Sequence, residues 1–186
     1  MVKTRVCMRF SFPAVLGIIL CTDTNGTALL CLLACALHEA GHIIVMYAMG
    51  RPPEKITFYG GGMRLSGGGK SIPVIISGCA VNFLLFAAFY FLSDGYNLRL
   101  FGMINLMTGL FNLMPVQPFD GYNLLERLII QLMSPEKAIS VLAVVENAAC
   151  IAVVPLIILF FLGGNVNFSS VVFLFYLFVV DIIEKI

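Results

Sequence analysis

Long apolar runs separated by short polar joints dominate the chain, at residues 9–22, 28–50, 72–92, 98–114, 139–162 and 168–183. A helix needs about 20 mainly apolar residues to cross the hydrocarbon layer of a bilayer. The runs at 28–50, 72–92, 98–114 and 139–162 meet or approach that length, 168–183 is slightly short, and 9–22 is the weakest. No small-residue cleavage site follows 9–22, so it reads as a retained segment and not as a signal sequence. With six crossings and the N-terminus in the cytosol, every Lys and Arg except Arg99 faces the cytosol, as the positive-inside rule requires. Without a crossing at 9–22, Lys3, Arg5 and Arg9 would move to the opposite side. The expectation is an all-α polytopic membrane protein with six transmembrane helices and both termini cytosolic, in a bacterial cell membrane.

Two stretches break the helical pattern. Residues 51–71, RPPEKITFYGGGMRLSGGGKS, hold two triple glycines around short alternating segments. KITFY and MRLS predict a small β-hairpin at the membrane surface. The ending GGGKS is not a phosphate loop, because the required first glycine falls at Arg64. After Pro118, the stretch FDGYNLLERLIIQLM places Leu124, Leu125, Leu128, Ile129 and Leu132 on one stripe. It predicts an amphipathic helix, either lying in the membrane interface or packed on the bundle.

Composition narrows the class. The chain is 60% hydrophobic and 11% charged over 186 residues, against about 45–50% and about 25% in soluble domains. That marks an integral membrane protein, with the lipid bilayer as its first partner. A net charge of +1 leaves no basic surplus to neutralise phosphates, so nucleic acid is excluded as a partner. The six cysteines lie mostly in apolar runs, as small buried hydrophobes do, and do not form the framework of a secreted disulfide scaffold.

Against that background HEAGH, residues 38–42, stands out within the run 28–50. Ionisable side chains in hydrocarbon are costly unless paired, solvated or bound. His38 and His42 stand four apart, so a helix projects both from one face towards a common point. Glu39 lies about 100° further round the helix, within reach of a water held there. This is the arrangement of a zinc hydrolase: two imidazoles bind Zn²⁺, the metal lowers a water's pKa towards about 7, and the glutamate takes its proton. Both histidines of the chain fall in this pattern.

A catalytic zinc wants a third protein ligand. The acids at or near membrane depth are Asp120, Glu146 and Asp181. Asp120 stands in NLMPVQPFDG (112–121), where Pro115 ends one helix and Pro118 keeps the chain extended. HEAGH lies near the cytosolic end of its run and Asp120 just past the cytosolic end of another, so the depths agree. Taken alone, Asp120 could equally cap the helix beginning near residue 121; the missing ligand favours coordination. Glu146, in SVLAVVENAAC, has no partner that the sequence names, and Asp181 reaches the interface. Cys31 lies about 10 Å along the helix axis from His38, too far to share a tetrahedral ion, so Cys31 and Cys35 read as small packing residues.

HEAGH in an early run, SGCAVNF (77–83) in the next and NLMPVQPFDG at the end of the one after resemble the site-2 protease family of intramembrane metalloproteases. The resemblance covers roughly residues 5–135, with the helices of 139–183 added in one membrane domain and no separate soluble regulatory domain. It implies zinc held by His38, His42 and Asp120, with Glu39 as general base. The short form, with CMRFSFP near its N-terminus, resembles the stage IV sporulation factor FB subgroup, whose members process the precursor of a sigma factor. Cys79 stands where the family pattern usually has proline. Asn82 and Asn112 are polar residues in apolar helices that bond across to neighbouring helices or, as the family pattern implies, steady an oxyanion or an extended substrate strand.

Two functions remain in play. One is an intramembrane zinc endopeptidase cutting a membrane-associated protein near the cytosolic leaflet, with the 51–71 loop and the PVQP break offering backbone partners to an unwound substrate. The other is a non-enzymatic metal-binding or metal-carrier protein, which would need the histidines but not Glu39. Homo-oligomerisation or a regulatory membrane partner is compatible with either.

Overall fold

The computed structural model describes residues 4–23, 25–60, 62–68 and 71–162. In chain order its elements are β1 (Arg5–Met8), α1 (Ser11–Thr22), α2 (Thr27–Ala48), β2 (Lys55–Tyr59), β3 (Gly62–Ser66), α3 (Ile72–Phe91), α4 (Tyr96–Asn112), α5 (Asp120–Leu132) and α6 (Pro135–Leu162). They group into two compact units, Met1–Leu113 and Met114–Ile186. The apolar run at 168–183 and Asp181 lie outside the described residues.

Among the described residues two helices, α2 and α3, are long and apolar enough to cross a membrane. With 22 and 20 residues they extend about 33 and 30 Å, which matches the hydrocarbon layer. Helix α1 has 12 residues, about 18 Å, well short of the crossing expected of residues 9–22. The stretch ahead of α1 is instead drawn into a strand.

The hairpin predicted in the 51–71 loop is present and is part of a larger sheet. β2 and β3 pair antiparallel, Lys55 opposite Ser66 and Tyr59 opposite Gly62. β1 joins the other edge of β2 in parallel, Arg5 opposite Lys55 and Met8 opposite Phe58, giving the order β1-β2-β3. Because β1 enters α1 and β2 follows α2, this pairing brings the start of α1 and the end of α2 to one end of the unit. Arg5 and Lys55 are register partners in that pairing.

Local signals set the ends of α2. The carboxylate of Asp23 accepts the N–H groups of Ala28 at 2.9 Å and Leu29 at 3.4 Å, which supplies partners to first-turn donors that a helix cannot satisfy itself. At the other end Gly50 adopts φ 68, and the N–H of Arg51 reaches the carbonyl of Met46 at 2.9 Å. That is a Schellman closure, which glycine adopts without a Cβ penalty.

The first unit is packed by small and polar side chains. The buried residues of α2 are Ala34, His38, Gly41, His42 and Met46; α3 answers with Val74, Ile75, Ser77, Gly78, Cys79 and Asn82, and α4 with Phe101, Gly102, Asn105 and Gly109. Their opposite faces carry Leu29, Leu33, Ile44 and Leu84, all exposed. Small residues bring helix axes close where lipid tails leave no hydrophobic gain from packing larger ones.

In the second unit α5 lies on α6 through Ile129, Ala138 and Leu142, with Tyr122 and Leu125 against them. The stripe read from the sequence thus divides. Leu125 and Ile129 pack on α6, whereas Leu128 and Leu132 are exposed.

Candidate metal centre

HEAGH occupies the C-terminal half of α2 and faces α3. His38 and His42 are buried, at 4% and 6% exposure, and their Nε2 atoms lie 3.2 Å apart. Gly41, between them in sequence, makes this possible: a Cβ there would stand 2.8 Å from the Ser77 carbonyl and 2.9 Å from a Val81 methyl. Gly78 does the same from α3. A Cβ on it would lie 2.5 Å from Nε2 of His42 and 2.7 Å from Cε1 of His38. The SGCAVNF segment is therefore small because two imidazoles rest against it.

The protonation of both rings follows from their neighbours. Nδ1 of His42 lies 2.7 Å from the carbonyl of Val74, which can only accept, so Nδ1 carries the proton. For His38 the argument runs through two amides. Nδ2 of Asn105 donates to the carbonyl of Phe101 at 2.8 Å, which orients Oδ1 of Asn105 towards Asn82. Nδ2 of Asn82 donates to that oxygen at 2.9 Å and to the Ala34 carbonyl at 3.4 Å. Its Oδ1 is left 2.6 Å from Nδ1 of His38, which must donate. In the neutral form of each ring Nε2 is then the acceptor, and the two Nε2 atoms converge. Two lone pairs at 3.2 Å repel unless a proton or a cation lies between them.

Asn82 and Asn105 are completely buried. Among the described residues no buried side-chain polar atom lacks a hydrogen-bond partner, so the relay is fully satisfied. A satisfied network of this kind rigidifies the groups it contains.

The other sequence-derived candidates fall as follows. Glu39 is half-buried on α2, beside the histidine face. Asn82 spends its amide on His38 and Asn105, which makes it a positioning group for the imidazole and not a donor to an oxyanion. Asn112 is half-buried at the end of α4, with Nδ2 donating to its own helix at the Thr108 carbonyl, 2.9 Å away. Asp120 belongs to the second unit, half-buried, as the first residue of α5. Phe119 occupies the cap position ahead of it, so the carboxylate sits at the positive end of the helix without serving as its N-cap.

Sequence reasoning passed over Asn105 and Ser77, and met Cys79 only as a departure from a pattern. Ser77 Oγ lies 2.6 Å from the Val74 carbonyl and 3.4 Å from Nδ1 of His42. The Cys79 thiol is buried, with Sγ within 4.8 Å of a ring nitrogen of His38. The signal for Asn105 was present: it is an amide two turns before Asn112, flanked at helical spacing by Gly102 and Gly109.

No protein-family model matches the chain. The chain is 34% identical over 134 residues to a protein of Synechocystis sp. (strain ATCC 27184 / PCC 6803 / Kazusa) provisionally named a zinc metalloprotease; the match covers 64% of this chain and 34% of that protein. The chain thus spans about a third of the length of the curated relative it matches. Among solved structures it resembles the Site-2 Protease from Methanocaldococcus jannaschii, with a TM-score of 0.61 and 22% identity, covering 89% of this chain and 84% of the other. That likeness establishes a shared fold.

Proposed function

We propose that the chain is an intramembrane zinc endopeptidase of the site-2 protease type, and that it cleaves a membrane-associated protein near the cytosolic leaflet. The observation that carries this reading is the convergence of two Nε2 atoms at 3.2 Å, with an acceptor on the far side of each ring. Metal-ligating histidines are oriented in this way by carbonyl partners on their second nitrogen. The shared fold, the zinc-metalloprotease name of the Synechocystis relative and the exposed apolar faces of α2 and α3 support it.

His38 and His42 would hold the zinc, with Asp120 as the third ligand; two nitrogens and a carboxylate suit this ion. When bound, zinc supplies Lewis acidity at the scissile carbonyl. Glu39 takes a proton from the attacking water on its carboxylate and returns it to the leaving amine. Asn82, through Oδ1, keeps the His38 ring turned to the site. Asn112, whose Nδ2 is committed to Thr108, contacts an extended substrate strand through Oδ1. A helical substrate must unwind to be cut, and the edge strand β3 offers backbone partners for the unwound segment.

Six crossings with both termini cytosolic remain the proposed topology, with the 12-residue α1 as a short crossing; the β1–β2 pairing, which brings the start of α1 and the end of α2 to one end of the unit, supports it. The finer assignment to the sporulation subgroup, with a sigma-factor precursor as substrate, rests on the resemblance of the CMRFSFP segment, residues 7–13, which runs from the end of β1 into α1.

The first test is metal content of the detergent-purified protein, wild type beside Asp120→Ala. About one zinc per chain is expected, weakened or lost in the variant. Glu39→Gln should then keep the metal and abolish cleavage of a membrane-tethered substrate; undiminished cleavage would leave a metal carrier as the better reading.

A further inference from the structure

Glu146 lies in the middle of α6, within the apolar stretch VLAVVENAAC. An acid at such a position carries a cost that a structure retains when the group has work to do. Its Oε1 accepts the backbone N–H of Gln117 at 3.1 Å. Gln117 lies in the irregular segment 114–119 that leads into α5, three residues before Asp120.

The rest of that segment is tied down locally. The N–H of Phe119 donates to the carbonyl of Val116 at 3.0 Å, which closes one turn. The Phe119 carbonyl accepts Nδ2 of Asn123 at 3.0 Å, which fastens the turn to the start of α5. Glu146 adds an anchor from a different helix, and it grips a backbone donor that a turn of this kind leaves over. Since α5 also rests on α6 through Ile129, Ala138 and Leu142, helix α6 is the base against which both the approach to Asp120 and the helix after it are fixed.

We propose that Glu146 is a positioning residue for Asp120: its carboxylate holds the 114–119 segment so that the Asp120 carboxylate is presented in one orientation. The inference rests on the reading of Asp120 as a zinc ligand. Glu146 touches neither substrate nor metal. It acts through the backbone of Gln117, so any acceptor of the right length at position 146 preserves its action.

Zinc itself is the probe, titrated against a chromophoric chelator into the full-length protein in detergent. Glu146→Ala should weaken zinc binding about 10- to 100-fold, the range seen when outer-shell partners are removed. Glu146→Gln keeps an oxygen acceptor and should stay within about threefold of wild type. In an Asp120→Ala background, Glu146→Ala should bring no further loss, because a group that works through Asp120 has nothing left to position. If Glu146→Ala does not fold, Glu146→Leu, which keeps the helix apolar, takes its place in the same comparison.

Wild-type affinity in Glu146→Ala, or an equal loss with and without Asp120, would overturn the proposal while leaving the metal reading intact. Full zinc affinity in Asp120→Ala alone would remove the ligand reading and the proposal with it.

Discussion

The two imidazoles stand one helical turn apart and are held by unlike means. His42 is anchored by a backbone carbonyl, that of Val74. His38 is anchored by a chain of side chains, Asn82 and then Asn105, before a backbone carbonyl is reached at Phe101. Both devices fix the same tautomer and aim Nε2 at the same point. They differ in what can disturb them: no substitution deletes the Val74 carbonyl, whereas the His38 anchor can be cut at two places. The site thus has a rigid half written into the α3 backbone and a half that depends on α2, α3 and α4 keeping their register.

Gly78→Ala should have the largest effect, because it strikes both halves. Its new Cβ would stand within 2.7 Å of atoms in both rings, and rings pinned at Nδ1 cannot swing aside. Zinc affinity should fall by about 100-fold, the upper end of what indirect changes around a metal site produce. Overpacking should also lower stability by about 1–3 kcal/mol. A chelator competition and a thermal melt in the same detergent measure the two effects. Unchanged affinity would mean that α2 and α3 can separate at no cost, and the tight seam would lose its functional meaning.

Asn82→Leu comes next and cuts the His38 anchor alone. It removes the acceptor from Nδ1 of His38 and the donor from Asn105, leaving buried polar atoms unsatisfied at about 1–3 kcal/mol. With the tautomer of His38 released, zinc binding should weaken about 10-fold or more, less than in Gly78→Ala because His42 keeps its place. Nitrogen-15 NMR of the histidines offers a direct reading: His38 should change tautomer while His42 does not. A change in both rings would show that the halves are coupled.

How much of this was readable beforehand follows from how local each feature is. HEAGH carries its chemistry within five residues, so the helical period alone places His38 and His42 on one face. KITFY and MRLS announce a hairpin because both strands and their turn lie within a dozen residues. β1 was invisible for the opposite reason. RVCM has no alternation of its own to speak of and becomes a strand by pairing with Lys55–Phe58, some fifty residues on. The pairing reaches the first residue of the apolar run, where the N–H of Arg9 donates to the Phe58 carbonyl at 2.8 Å, and α1 begins at Ser11, two residues into that run. Asn105 was missed because an amide in an apolar helix declares its role only when the neighbour it faces is known, and that neighbour is Asn82 on another helix. Glu146 had no nameable partner because its partner is a backbone N–H, which no sequence pattern displays.

Asn105→Leu acts one step further from the metal and should cost less than Asn82→Leu. Asn82 would lose the acceptor at 2.9 Å but keep the weaker one at the Ala34 carbonyl, 3.4 Å away, so its Oδ1 can stay on His38. A stability loss of about 1 kcal/mol, the net worth of a typical hydrogen bond, is expected, with zinc affinity down about threefold. If Asn105→Leu matches Asn82→Leu in zinc binding, the relay behaves as one unit and the orientation of Asn82 depends wholly on α4.

Ser77→Ala should do least, and for that reason it probes the other half of the comparison. The hydroxyl shares the Val74 carbonyl with His42, at 2.6 Å against 2.7 Å for the ring, and lies 3.4 Å from Nδ1 itself. A serine bonding back to its own helix in this way contributes little. Its loss leaves the carbonyl wholly to the imidazole, so no buried atom goes unpartnered. Zinc affinity should remain within about twofold of wild type and stability within about 0.5 kcal/mol, the range of substitutions that break no satisfied network. A 10-fold loss of zinc would mean that the hydroxyl, and not the carbonyl, holds His42 in place. Both imidazoles would then hang on side chains that mutation can remove, and the asymmetry between the two halves of the site would vanish.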